Sequence, residues 1–288
     1  MPWEKSIYGY KESTCVIIRL IKNSMTSVYK IIGIIGGMGS HAGIDLYEKL
    51  LSHTNAEKDQ DYPSVVLMSF PQIITDRSLF LQGYVKTNPA YAIAEIVRKL
   101  AQAGAEVLGI ACNTAYSPGI HEVILKEIEV LDKPVKLLHM PYETCDFLFQ
   151  EFPKTTRVGI IATSGTYYSG IYQNRLEEMG LKVILPDEKF QEDIIHQMIY
   201  HPIYGIKANP TSLNRFITER IEASMNFFSK QNAEVVILAC TELSLVFKKP
   251  IKRNIVLIDS AWVLSKAMHR EALSQPKQAK NQPDLTSF

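Results

Sequence analysis

The sequence is short of the features that place a protein quickly. It has four cysteines in 288 residues, at positions 15, 112, 145 and 240, with no CxxC or Cys/His spacing among them. That argues against a zinc site or a disulfide framework. With no signal-peptide pattern, the thiols are expected to stay reduced in a cytoplasmic protein. No apolar run approaches the length of a transmembrane helix. The seven histidines are scattered without ligand spacing. His121, His139 and His196 therefore read as structural or surface residues, and no metal is expected. An excess of one charge sign is missing too. The 31 basic and 30 acidic residues leave a net charge of +1, which disfavours a nucleic-acid or membrane-surface partner.

What is present is ordinary globular composition, 46% hydrophobic and 21% charged, in a chain long enough for two α/β domains. Residues 1–24 differ from the rest. Their apolar run Val16-Ile17-Ile18 stops at Arg19, and they read as an accessory extension or an upstream start of translation. The segment 274–288, rich in Gln, Lys and Pro, is expected to be a flexible tail.

Between these ends the pattern alternates strands with helices. Ile31 to Ile35 is a continuous apolar strand running into Gly36-Gly37-Met38-Gly39, and a helix is expected over 41–53. Further strands are expected at 65–70, 105–112 and 135–138, with helices at 90–102 and 118–129. The order then repeats, with strands at 157–162, 182–185, 233–240 and 255–258 and helices at 168–179, 213–230 and 260–273. The expected fold is α/β: two similar domains related by internal pseudo-twofold symmetry, each a parallel sheet flanked by helices. The expected division is 25–140 plus 255–273 for the first domain and 141–254 for the second. In such sheets, ligands sit beyond the carboxyl ends of the strands.

Two cysteines mark the repeat. Cys112 ends Ala105-Glu106-Val107-Leu108-Gly109-Ile110-Ala111-Cys112, and Cys240 ends Ala233-Glu234-Val235-Val236-Ile237-Leu238-Ala239-Cys240. The glycine-to-cysteine spacing is nearly equal, 79 residues from Gly33 to Cys112 and 81 from Gly159 to Cys240. A buried cysteine is usually a small hydrophobe. Two at matched strand ends suggest a thiol/thiolate pair able to take a proton from one face of a carbon and return one to the other. Both sit where a strand hands over to a helix start, where a thiol pKa is commonly lowered. Asn113-Thr114 and Thr241-Glu242, which follow them, suit helix capping and an anion site equally. Gly37-Met38-Gly39-Ser40-His41-Ala42 fits G-x-G-x-x-A, but no acid ends the second strand, so a nucleotide is not expected there. The loop around Met38 reads instead as the frame of a small substrate. Arg77 is expected in a loop beyond the second strand and Lys207 in the second half. Cys145, on an apolar helix, reads as core.

The motifs Ile32-Gly33-Ile34-Ile35-Gly36-Gly37-Met38-Gly39, Ala111-Cys112-Asn113-Thr114-Ala115 and Ala239-Cys240-Thr241-Glu242-Leu243 resemble the aspartate/glutamate racemase family, and its aspartate racemase branch best. The resemblance runs from about Tyr29 to Leu273. It implies a racemase that needs no cofactor, with Cys112 and Cys240 as its two acid–base groups. It implies that Asn113, Thr114, Thr163 and Thr241 bind the α-amino-acid group of the substrate. Arg77 and Lys207 match residues that hold the side-chain carboxylate. A homodimer is implied too, as is a last helix that crosses back to the first domain. The sequence departs from the family at Ser40-His41-Ala42-Gly43, where Pro and a Thr-containing helix start are usual, and at Tyr116, where His often follows Asn-Thr-Ala. Competing readings are a cysteine-pair isomerase for a maleate-type dicarboxylate or a hydantoin, and a small-acid-binding protein without catalysis.

Overall fold

The apolar runs that end in glycine or cysteine are the strands of two parallel sheets. A computed structural model describes residues 29–247 and 254–274. The expected extension 1–24, with Cys15, and the tail from 275 onward lie outside the described residues. The first sheet holds β1 (Ile32–Gly36), β2 (Val65–Ser69), β3 (Val107–Ile110) and β4 (Lys136–Leu137), in the order β2-β1-β3-β4. The second holds β5 (Arg157–Ala162), β6 (Lys182–Ile184), β7 (Val235–Ala239) and β8 (Val256–Asp259), in the order β6-β5-β7-β8. Every pairing is parallel, and the two orders are the same. The central strands β1, β3 and β7 are buried along their whole length, as parallel strands covered on both faces must be. The expected α/β class is what the structure has.

The repeat extends to packing. Gly33 in β1 and Gly159 in β5 occupy equivalent places, and each lies under a large side chain. A Cβ on Gly33 would sit 2.4 Å from Leu108 Cδ2, and one on Gly159 2.4 Å from Phe228 Cδ1. Only glycine admits such an approach.

The helices follow from periodicity and caps. They are α1 (Ser40–Ser52), α2 (Arg77–Leu81), α3 (Ala90–Gln102), α4 (Pro118–Glu129), α5 (Met140–Glu151), α6 (Ser164–Ser169) and α7 (Ile171–Glu178). A helical segment at 188–200 comes next, π-helical at Gln191–His196, followed by α8 (Arg215–Lys230), α9 (Leu243–Val246) and α10 (Ser260–Leu273). On α3, Ile93, Ile96, Val97 and Leu100 form one buried face. No helix among the described residues is long and apolar enough to cross a membrane.

Four expectations are corrected. The helix expected at 168–179 begins earlier, where Thr163 caps Thr166 N–H, and it breaks at Gly170, whose φ is +66°. Arg77 is not in a loop but opens α2, because the Asp76 carboxylate caps Leu79 N–H. The 188–200 segment was not expected as helix. The boundary expected at 255 falls inside the second sheet, since β8 pairs with β7. The chain returns to the first sheet only at Ser260, where Asp259 caps α10.

That last helix packs on α1, α5 and β3. Gly109 in β3 lets it come close, as a Cβ there would lie 2.5 Å from Met268 Sδ. Lys30 N–H donates to Ala272 O at 2.8 Å. The Glu271 carboxylate pairs with Lys30 at 3.0 Å and Lys136 at 2.6 Å.

Two predictions follow from this packing. Gly159→Ala is expected to cost about 1–3 kcal/mol by overpacking against Phe228, and an unchanged denaturation midpoint would refute the close approach. Glu271 supplies the second. Burial opposes its ionisation, but Lys136 and Lys30 outweigh that and pull its pKa down from 4.5 to about 2. Its contribution to stability is complete above the ordinary value and lost as pH falls toward the folded one. Glu271→Gln should flatten the stability curve between pH 4.5 and about 2. Chemical denaturation at a series of pH values checks this, and an unaltered acid limb would remove Glu271 from the account.

Candidate active site

The carboxyl ends of β1, β3, β5 and β7 all deliver side chains to one cavity. From β1 comes the loop carrying Met38; from β3, Cys112 and then Asn113-Thr114; from β5, Thr163; from β7, Cys240-Thr241-Glu242. Arg77, at the start of α2, and Lys207, from the loop after the 188–200 segment, also line it. Every residue expected from the sequence to serve the site is therefore in this one place. Size does not single it out. The cavity is about 10 Å³, while an open hollow beside His53 and Lys266 has about 550 Å³. The cavity is marked by what lines it, two thiols and two cationic side chains.

The hydroxyl and amide groups hold the halves together. Thr114 Oγ1 lies 3.0 Å from Thr163 Oγ1 and 2.9 Å from Thr166 Oγ1. Asn113 Nδ2 donates to Ser260 Oγ at 3.0 Å, and Tyr172 OH donates to Asn113 Oδ1 at 2.6 Å. Thr241 Oγ1 donates to Ala111 O across the halves at 3.2 Å. Helix capping is the role of Thr163 but not of Asn113-Thr114 or Thr241-Glu242: the 3-10 turn Asn113–Tyr116 and α9 have no side-chain cap bond.

The charged groups form a second layer. Arg77 Nη2 and Lys207 Nζ both donate to Met38 O, at 3.0 Å and 3.1 Å. Lys207 Nζ also pairs with Glu242 Oε1, which accepts Gly39 N–H at 2.9 Å. Glu242 Oε2 accepts from Cys240 Sγ at 3.2 Å. Arg77 is buried, and its Nε has no hydrogen-bond partner among the described residues.

The electrostatics follow from burial and neighbours. Burial works to raise the Glu242 carboxyl, but Lys207 outweighs it and holds the group below its ordinary value. Burial works to lower Lys207 and Arg77. Glu242 and Tyr200 more than offset this for Lys207, as Cys112, Tyr200 and Asp76 do for Arg77, so both stay charged. Cys240 runs against the sequence expectation. Instead of a thiol lowered by a helix start, burial and then the Glu242 carboxylate push it well above its ordinary value. Its helix, α9, is one short turn, and the sulfur faces a carboxylate.

Sequence reasoning missed Tyr200. Its hydroxyl donates to Asp76 Oδ2 at 3.2 Å, its ring stacks on His196 at 4.6 Å, and Lys207 Nζ lies 5.2 Å from its ring centroid. It ends the short α-helical turn Gln197–Tyr200, which follows the π-helical stretch and is too brief to show a periodic signature. Among the described residues, no group of three or more His, Cys, Asp or Glu could hold a metal.

Removing the Lys207 charge leaves Glu242 buried without its cation. A fully buried pair broken in this way costs about 3–5 kcal/mol. Lys207 is partly exposed, so Lys207→Met is expected to cost less, on the order of 2 kcal/mol. Chemical denaturation checks this, and a variant as stable as the parent would show the pair to be idle.

The comparisons with known proteins agree on one scaffold. Residues 35–268 match the Asp/Glu/Hydantoin racemase family. The Picrophilus torridus aspartate racemase is 31% identical, with a TM-score of 0.68, over 84% of this chain and 94% of that one. An aspartate racemase homologue from Pyrococcus horikoshii OT3 shares the fold, at 21% identity and a TM-score of 0.63, over 85% of this chain and all of that one. A glutamate racemase from Aquifex pyrophilus is 28% identical over 172 residues, 58% of each chain. The matched region spans about three-fifths of the length of the curated relatives.

Proposed function

Since the chain belongs to the Asp/Glu/hydantoin racemase family, we propose that it interconverts the L and D forms of a dicarboxylic amino acid, aspartate or glutamate, without pyridoxal phosphate. One observation carries the reading: both thiols and both cationic side chains line the same cavity. One thiolate takes the α-proton, and the thiol on the other face returns one. Cys240, protonated on the Glu242 carboxylate, is set as a donor. Cys112 has the Arg77 guanidinium beside it. The enediolate formed between the two steps is stabilised by preorganised donors. Asn113, Thr114, Thr163 and Thr241, now bonded across the halves, supply them.

Arg77 and Lys207 hold the side-chain carboxylate in this reading. That favours a dicarboxylate over a hydantoin, and makes cis–trans isomerisation of a maleate-type acid the second reading. Two domains, 29–139 with α10 and 140–259, meet at the site. A cytoplasmic homodimer completes the proposal.

The test is proton NMR in deuterated water with L-aspartate, and separately L-glutamate. Loss of the α-proton signal with appearance of the D-enantiomer is expected. Cys112→Ala and Cys240→Ala should each lower the racemisation rate by about 10²–10⁴-fold. Full activity in either variant would end the two-thiol mechanism.

A further inference from the structure

The proposed reaction leaves the Glu242 carboxylate with no substrate contact, yet Glu242 fills the most contested place in the cavity. It is 4% exposed. Its Oε1 takes Lys207 Nζ and Gly39 N–H; its Oε2 takes Cys240 Sγ and, at 3.3 Å, Thr241 Oγ1. The Lys207 ammonium has three donor directions. One goes to Glu242 and one to Met38 O, and the Tyr200 ring stands beside it. Space is equally committed. A cavity of about 10 Å³ has room for about one water, and a dicarboxylic amino acid is several times larger. A substrate carboxylate cannot simply be added to this set; it must exchange with a group already there. The group with matching chemistry is Glu242, a carboxylate on the same cation.

We propose that Glu242 is a resident carboxylate seated where the side-chain carboxylate of the substrate binds, and that a dicarboxylate takes the seat by displacing it from Lys207, the displaced carboxyl gaining a proton. This rests on the dicarboxylate reading above. The proton follows from the neighbours. The titratable and charged groups facing Glu242 are Lys207, Arg77, Cys240 and Tyr200. Once the ligand occupies the cations, Glu242 keeps only neutral donors and stands beside a like charge, which favours its neutral form. The exchange also selects. An amino acid with an apolar side chain offers Lys207 nothing in return, so the ion pair stays closed against it.

The experiment is calorimetric titration with succinate at pH 7.5, where the probe is fully ionised and cannot react. Runs in phosphate and in Tris read proton uptake from the difference in heat. The parent protein should take up close to one proton per succinate. Glu242→Gln, isosteric and without a charge to lose, should take up none and bind about tenfold tighter, because no resident carboxylate competes. Succinate binding by the parent without proton uptake would overturn the proposal, and that measurement does not depend on how the variant folds. Absence of succinate binding alongside racemisation of aspartate would overturn the proposal alone. Absence of both would overturn the dicarboxylate reading with it.

Discussion

Two cations converge on one backbone carbonyl, Met38 O, and a single buried carboxylate, Glu242, answers them. Charges taken out of water are costly unless paired and hydrogen-bonded, and this cluster dictates much of what surrounds it. The Gly37 φ of +91° turns the β1 loop so that Met38 O and Gly39 N–H face the cavity together. Asp76 caps α2 and accepts from Tyr200, fixing where Arg77 starts and where Lys207 is flanked. The loops are shaped by the charges they must satisfy, and the sheets are the frame that brings those loops into reach.

Around this polar centre the two halves meet through short side chains. Thr114, Thr163 and Thr166 form a hydroxyl cluster, and Gly165 lets the halves close, because a Cβ there would lie 2.7 Å from Ser78 Oγ and 2.8 Å from Thr114 Cγ2. Such contacts are directional and easily exchanged. They suit a junction that must hold its shape around a cavity that admits about one water.

The sheets and the lining of the site were legible because the signals were local. Apolar runs ending in Gly or Cys mark strands, and the nearly equal spacing to Cys112 and Cys240 marks the repeat. What escaped was set by contacts between distant residues. The tie of Tyr200 to Asp76 crosses from one half to the other, and the π-helical stretch before it departs from the α-helical period. For Cys240 the sequence shows a helix start, but burial and the carboxylate two residues on decide the thiol. Arg77 reads as a loop residue although Asp76 is a good cap, since one short helical turn gives no amphipathic stripe. The crossing near 255 falls a few residues later, where the edge strand β8 pairs in the second sheet and the helix after it packs on the first.

The placement of α10 has a bearing on synthesis. The helix that covers β3 and clasps Lys30 and Lys136 is made of residues 260–273, near the end of the described chain. The strands of the first sheet end at Leu137, yet that face stays bare until Ser260–Leu273 are made. The second sheet has all its own strands by Asp259, one residue before that helix begins. The first sheet is therefore covered only after the second has all its strands, and an apolar face left exposed over that stretch of synthesis is where a chaperone has reason to bind.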